Sequence, residues 1–110
     1  MKYLIYALLL QSCFSSAMAA EPPCATQAQE RAPKLLAFHL GEGFEERMGF
    51  EDPMLKSPLR NPANPKQRFS VLEIDAHVSP HGRYRMRFIF YAMPEGCLLM
   101  GEEILELAIL

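Results

Sequence analysis

The chain has 110 residues, half of them hydrophobic, and its 11 basic and 13 acidic side chains give a net charge of −2. This length suits one small domain, in which the hydrophobic core alone gives only marginal stability. A slightly acidic chain has no overall field that attracts polyanions, so we expect no nucleic-acid partner.

The first residues carry a predicted export signal. Residues 1–19, MKYLIYALLLQSCFSSAMA, contain the three parts of a secretory signal peptide. Lys2 supplies the positive region, residues 3–10 supply the apolar region, and residues 17–19 form a small-x-small cleavage site. We therefore predict cleavage after Ala19.

The same signal can also be that of a lipoprotein, in which Cys13 is the acylated residue. Only in that case do we expect attachment to a membrane. With either form of processing, residues 20–110 are expected to be one small exported domain, periplasmic or secreted. Removal of residues 1–19 takes away one basic side chain and no acidic one, so this domain carries a net charge of −3.

Two of the three cysteines, Cys24 and Cys97, remain after either form of processing. An oxidising compartment is expected to pair them. In the chain-entropy description of disulfides, closing the loop between Cys24 and Cys97 contributes on the order of 4 kcal/mol to the free energy of unfolding. We predict a structural disulfide, and the alternative is a single reactive thiol in an environment that lowers its pKa.

The first half of the domain is predicted to hold one helical segment and one long loop. Residues 26–40 fit a helix with a break near Pro33, although the alternation within residues 34–40 also fits a strand. Residues 41–67 are glycine-punctuated and then rich in proline, which disfavours a long helix or a central strand. We predict a long Pro-rich loop there.

The last third alternates between apolar and polar residues, which predicts strands over residues 70–78 and 83–92. The sequence SPHGR between them fits a three-residue loop that pairs Ser79 with Arg83. The resulting register predicts apolar pairs on one face and acid–base pairs on the other. The pairs are Val78 with Tyr84, Ala76 with Met86, Ile74 with Phe88, Leu72 with Phe90, His77 with Arg85 and Asp75 with Arg87.

The sequence MPEGC predicts a second turn of the same kind, leading into a third strand. A bulge at Gly101 would place Glu106 opposite Arg85 and turn three apolar residues towards the core. These residues are Leu105, Leu107 and Ile109. The fold class is therefore α+β, with a short N-terminal helical segment packed on a three-stranded antiparallel β-meander and a long Pro-rich loop.

The stretch HGRYRMRFIFYA interleaves arginines with aromatic residues, which is typical of single-stranded nucleic-acid surfaces. On a strand, however, the arginines and the aromatic residues point to opposite faces. We expect the aromatic residues in the core and the arginines in a mixed-charge ladder with Glu73, Asp75, Glu103 and Glu106. This arrangement also argues against a nucleic-acid partner.

The outer face of the predicted sheet carries a candidate binding surface. An apolar and aromatic patch bordered by charged residues is typical of protein-binding sites. The predicted binding residues are Phe69, Arg85, Arg87, Ile89, Tyr91 and Leu99, with Val71 beside them. The alternative, that the Pro-rich loop covers this patch, is equally compatible with the sequence.

Other chemistry has little support in the sequence. The three histidines and the scattered methionines lack the spacing of a known metal site, and we expect no cofactor. Asp75, His77 and Ser79 are expected at an exposed strand end with no room for a cleft, so we expect no enzyme. A small-ligand or metal-binding periplasmic module and a small hydrolase remain as alternatives.

The order of helix and strands resembles the helix-plus-three-strand modules found among periplasmic inhibitors and envelope assembly factors. This likeness is one of element order alone. We predict an exported, non-catalytic protein-binding domain, such as an inhibitor, an immunity protein or an envelope assembly factor. Its partner is expected to be another envelope or secreted protein.

Overall fold

The computed structural model describes residues 21–109, which form one helix, one short 3-10 turn and five strands. Their bounds are α1 Ala25–Leu40, the 3-10 turn Glu45–Arg47, β1 Met48–Phe50, β2 Met54–Asn61, β3 Asn64–Val78, β4 Gly82–Met93 and β5 Gly96–Ala108. The predicted signal peptide, the cleavage after Ala19 and the lipidation of Cys13 lie outside the described residues. No helix within residues 21–109 is long and apolar enough to cross a membrane.

Helix α1 runs without a break through Pro33, so the predicted break is wrong. Pro33 is exposed, and the carbonyl group that loses its helical partner there can be hydrated. The buried side chains follow a helical spacing, which decides against a strand over residues 34–40; they are Ala25, Ala28, Ala32, Leu35 and Leu36. Gly41 ends the helix with a φ of 87°, and its N–H donates to the carbonyl oxygen of Ala37 at 2.8 Å.

Much of the predicted Pro-rich loop is part of the sheet. Strands β1 and β2 both pair antiparallel with β3, and the sheet continues through β4 to β5. The α+β class is confirmed, but the sheet has five strands, so the prediction of a loop over residues 41–67 is wrong. Prolines are tolerated here because β1 and β2 form an edge: Pro53 lies between the two strands, and Pro58 lies at a shift of register.

The helix packs on one face of the sheet, here called the covered face. Its core side chains on β3 and β4 are Leu72, Ile74, Ala76, Val78, Tyr84, Met86, Phe88 and Phe90. The predicted disulfide between Cys24 and Cys97 is confirmed, and it ties the start of α1 to the start of β5. Further along, the Arg31 guanidinium donates two hydrogen bonds of 2.6 Å to the Glu102 carboxylate. Helix α1 and strand β5 therefore run side by side in the same direction.

The β3–β4 hairpin has the predicted faces but a different register. Val78 pairs with Gly82, so the loop is residues 79–81, and Asp75 pairs with Arg85. Each predicted pair is therefore displaced by two residues. Because side chains alternate with a period of two, this displacement changes the partners and leaves every side chain on its predicted face.

In strand β5, by contrast, the side chains lie on the faces opposite to those predicted. The register of β5 with β4 differs from the predicted register by one residue. Met93 pairs with Gly96, which makes the β4–β5 turn two residues long instead of three. A bulge next to the predicted position, with Met100 as the extra residue, follows the turn. The one-residue difference in the turn reverses the faces of the strand on both sides of the bulge, relative to the prediction.

Three predictions for β5 are wrong as a result. Glu106 pairs with Tyr84 and not with Arg85. Leu105 pairs with Arg85 on the outer face and is 57% exposed. Leu107 and Ile109 are also exposed and do not reach the core.

Candidate functional site

The face opposite the helix, here called the open face, carries five of the six residues predicted to bind. Within residues 21–109, no helix lies over this face. Residues 48–61 extend the sheet at its edge and do not cover it. Residue 47 is held at the β3–β4 turn, where the Arg47 Nε donates to the carbonyl oxygen of Ser79 at 2.7 Å. The predicted alternative of a covering loop is therefore not what the structure shows.

The centre of the open face is a charged ladder built around Glu73. The Glu73 residue is only 5% exposed, although it lies on the face without a helix. It accepts a hydrogen bond from Arg87 Nε at 2.9 Å and lies 3.1 Å from Arg85 Nε. Lys56 Nζ is 3.6 Å away. A buried carboxylate is costly unless cations and hydrogen bonds compensate it, and three cations do so here.

The outer members of the ladder are Asp75 and Glu103. Arg85 Nε donates to Asp75 at 3.1 Å, and Arg87 lies 3.9 Å from Glu103. The hydrogen bond that Arg85 donates to Asp75, followed by the negative charges of Asp75 and Glu73, raises the pKa of Arg85 above its ordinary value. The mixed-charge ladder predicted from the sequence is therefore present, with one exception.

The exception is Glu106, which lies on the covered face. Its carboxylate accepts a hydrogen bond from the Tyr84 hydroxyl at 3.4 Å. Burial, followed by the negative charge of Glu106, raises the pKa of Tyr84 above its ordinary value. Tyr84 therefore stays protonated as a donor, and Glu106 contributes nothing to the ladder.

An apolar patch adjoins the ladder towards the β4–β5 turn. The rings of Phe69 and Tyr91 meet edge to face with their centroids 6.3 Å apart. Leu59 of β2 pairs with Phe69, and Leu98 of β5 pairs with Tyr91. The apolar patch consists of the buried Phe69 and Val71 and the more exposed Leu59, Ile89, Tyr91 and Leu98.

Five of the six predicted binding residues lie together on the open face: Phe69, Arg85, Arg87, Ile89 and Tyr91. The sixth, Leu99, pairs with Phe90 and packs against the core on the covered face. Its neighbour Leu98 takes the place beside Tyr91, because the turn is two residues long. Leu59 was missed because it falls in the segment predicted to be a loop.

Grooves run across the open face and show that the sheet curls. One groove of about 470 Å³ joins the patch to the ladder, and it is lined by Lys56, Ser57, Leu59, Val71, Arg87, Ile89 and Glu103. A second groove of about 410 Å³ lies at the other end. It touches both Asp52 near one edge of the sheet and Leu107 on the other. Both edges can line one groove because the sheet bends towards the open face.

The residues considered for hydrolysis have structural contacts. The Asp75 carboxylate binds Arg85, and the carbonyl group of Ser79 binds Arg47. The His77 imidazole lies so close to Gly49 that a Cβ at that glycine would be 2.1 Å from Nε2. In the part of the chain that the structure describes, no three His, Cys, Asp or Glu side chains are arranged to hold a metal ion. That the chain uses no cofactor and is not an enzyme stays a prediction.

No protein-family model, no curated protein and no solved structure matches this chain.

Proposed function

We propose that this chain is an exported, non-catalytic protein-binding domain that contacts its partner through the open face of the sheet. The proposal includes a signal peptide removed after Ala19, and the periplasm or the secreted fraction as the location. The disulfide between Cys24 and Cys97 supports an oxidising compartment. An inhibitor, an immunity protein and an envelope assembly factor all belong to the proposed class.

One observation carries the proposal: the apolar patch lies beside the charged ladder on a face over which no helix of residues 21–109 packs. Aromatic and aliphatic side chains next to arginine are typical of the centre of a protein interface. Tyr91 and Ile89 are half-buried by their neighbours, so they are positioned before a partner arrives. A preorganised surface loses less conformational entropy on binding.

The ladder adds charge selectivity to the apolar contact. Arg87 and Glu103 lie at the surface and are separated by 3.9 Å, so both retain hydrogen-bonding capacity for a partner. Arg87 also lines the groove that leads from the ladder into the patch. We infer that the partner places an acidic group near Arg87 and an apolar side chain against Ile89 and Tyr91.

The test is capture of a partner from envelope extracts by the tagged, disulfide-bonded protein. The open-face variant combines Arg87→Glu with Tyr91→Ala. The control combines Arg60→Glu with Leu55→Ala, which makes the same kinds of change on the covered side of β2. We expect the wild type and the control to retain the same polypeptide, and the open-face variant to retain about tenfold less of it.

Thermal melts of all three proteins establish that each is folded. Failure of every form to capture a specific polypeptide, or equal capture by the open-face variant and the control, would show that the open face is not the contact surface.

A further inference from the structure

Strand β5 forms one edge of the sheet that residues 21–109 build. Within residues 21–109 it pairs with β4 alone. Between its two bulges, residues 101–106 pair with β4 in unbroken register. An edge strand presents backbone N–H and C=O groups that can pair with another extended segment.

The two edges of this sheet differ in how they are protected. The opposite edge is interrupted by Pro53 and Pro58 and by two shifts of register. Prolines and bulges are the usual means of preventing edge-to-edge pairing. Strand β5 also has two bulges, but they flank residues 101–106, and it has neither a proline nor a lysine or arginine between Gly96 and Ala108. It is therefore the edge that can accept a further strand.

The charges of β5 indicate what kind of strand fits. Glu103 is 64% exposed at its side chain, and Glu102 and Glu106 lie on the other face of the strand. For a second copy of β5, the two antiparallel registers centred on residues 101–106 are unfavourable. Antiparallel pairing about a twofold axis at Ile104 would place Glu102 opposite Glu106, and an axis at Glu103 would place that residue opposite itself. Like charges directly opposite each other destabilise a pair of strands, whereas opposite charges stabilise it.

Apolar surface lies on both sides of this edge. Phe38 is 88% exposed, and it follows Arg31 by seven residues, which places both on one side of the helix. Arg31 binds Glu102 of β5, so Phe38 also lies on the β5 side, above the covered face. On the open face, Leu105 is exposed and lines a groove of about 230 Å³ with Arg85, Arg87, Glu103 and Ile104.

We propose that β5 binds an extended segment of a partner protein, in which basic and apolar residues alternate, by strand addition along residues 101–106. The basic side chains of this segment lie on the open face and pair with Glu103, and its apolar side chains lie on the covered face and pack against Phe38. This edge site is separate from the apolar patch, and it does not require the patch to bind.

The test uses the disulfide-bonded exported protein and three labelled seven-residue peptides. One alternates lysine with valine, the second has glutamate in place of lysine, and the third is the lysine peptide N-methylated at alternate amides. Binding is measured by fluorescence anisotropy, and amide hydrogen exchange locates it along the chain. We expect the lysine peptide to slow exchange in residues 101–106 and to bind about tenfold more tightly than the glutamate peptide. We expect the N-methylated peptide not to bind, because it cannot complete the ladder.

Two charge variants complete the experiment. Glu103→Lys is expected to weaken binding of the lysine peptide by about tenfold. Glu95→Lys makes the same change in the β4–β5 turn and is expected to leave binding unchanged. Tyr91→Ala, on the apolar patch, is also expected to leave it unchanged, which separates this site from the proposed open-face contact.

Four results would overturn the edge site. The first is binding of the lysine peptide without slower exchange in β5, and the second is equal binding of the N-methylated peptide. The third is loss of binding in Tyr91→Ala. The fourth is a concentration-dependent dimer in which residues 101–106 are protected without any peptide, because β5 would then bind a second copy.

Discussion

The Glu73 carboxylate is bound by Arg87 Nε at 2.9 Å while the Glu73 residue is only 5% exposed. Glu73 is therefore a buried charge on the open face, and Arg87 compensates it. We expect Glu73→Gln to lower the free energy of unfolding by about 1 to 2 kcal/mol, because the cations around it lose their shared partner. Urea denaturation measures the effect. Glu103→Gln, at an exposed and longer contact, is the control and is expected to change stability by less than about 0.5 kcal/mol. Equal effects of the two substitutions would show that Glu73 does not organise the ladder.

The ion pair between Arg31 and Glu102 predicts an acid-dependent stability. The hydrogen bond from Arg31 is the main cause that holds the pKa of Glu102 below its ordinary value, against the effect of burial. A carboxylate whose pKa is lower in the folded state stabilises the fold at pH values above its unfolded pKa. This contribution is lost as the pH falls through the folded pKa. Glu102→Gln is therefore expected to lower the melting temperature at neutral pH, and the difference from the wild type is expected to shrink in acid. A difference that stays constant from neutral to acidic pH would contradict this assignment.

The disulfide is expected to supply a large share of the stability of so small a domain. It closes a loop between residues that are 73 positions apart. In the chain-entropy description, the double variant Cys24→Ser with Cys97→Ser should lower the free energy of unfolding by about 4 kcal/mol. Urea denaturation of the variant, beside the wild type with and without a reducing agent, measures this loss. The reduced wild type should behave like the double variant, and equal stability with and without the bond would refute the expectation.

The register of β5 can be tested with two neighbouring residues. Ile104 packs against the core, and Leu105 lies on the open face. Ile104→Ala is expected to lower the free energy of unfolding by about 1 to 2 kcal/mol, since the side chain is only partly buried. Leu105→Ala is expected to change it by less than about 0.5 kcal/mol. The reverse order of the two effects would restore the register predicted from the sequence.

The alternation of apolar and polar residues predicted both faces of β3 and β4, and it placed most of the ladder and the patch on the same face. The cysteine count predicted the disulfide. These features follow from the alternation of side chains along a strand and from the number of cysteines, both of which are read directly from the sequence. They did not require the turns to be known.

The features that were mispredicted depend on turn length and on edge position. The sequence MPEGC is compatible with turns of two or three residues, and one residue of difference moves Leu98 and Leu99 to opposite faces. Pro53 and Pro58 argue against a central strand, but an edge strand tolerates them. Whether a strand lies at an edge is a property of the whole sheet, so composition alone could not place Leu59 in the patch.

The most direct test of the central claim is site-specific photo-cross-linking in cells at Tyr91 and at Ala92. These neighbours point to opposite faces of β4, and Ala92 is exposed on the covered side. With a photoreactive amino acid at each position in turn, we expect a discrete adduct with a second polypeptide from Tyr91 and none from Ala92. Adducts of equal yield from both positions, or an adduct from Ala92 alone, would contradict an open-face contact.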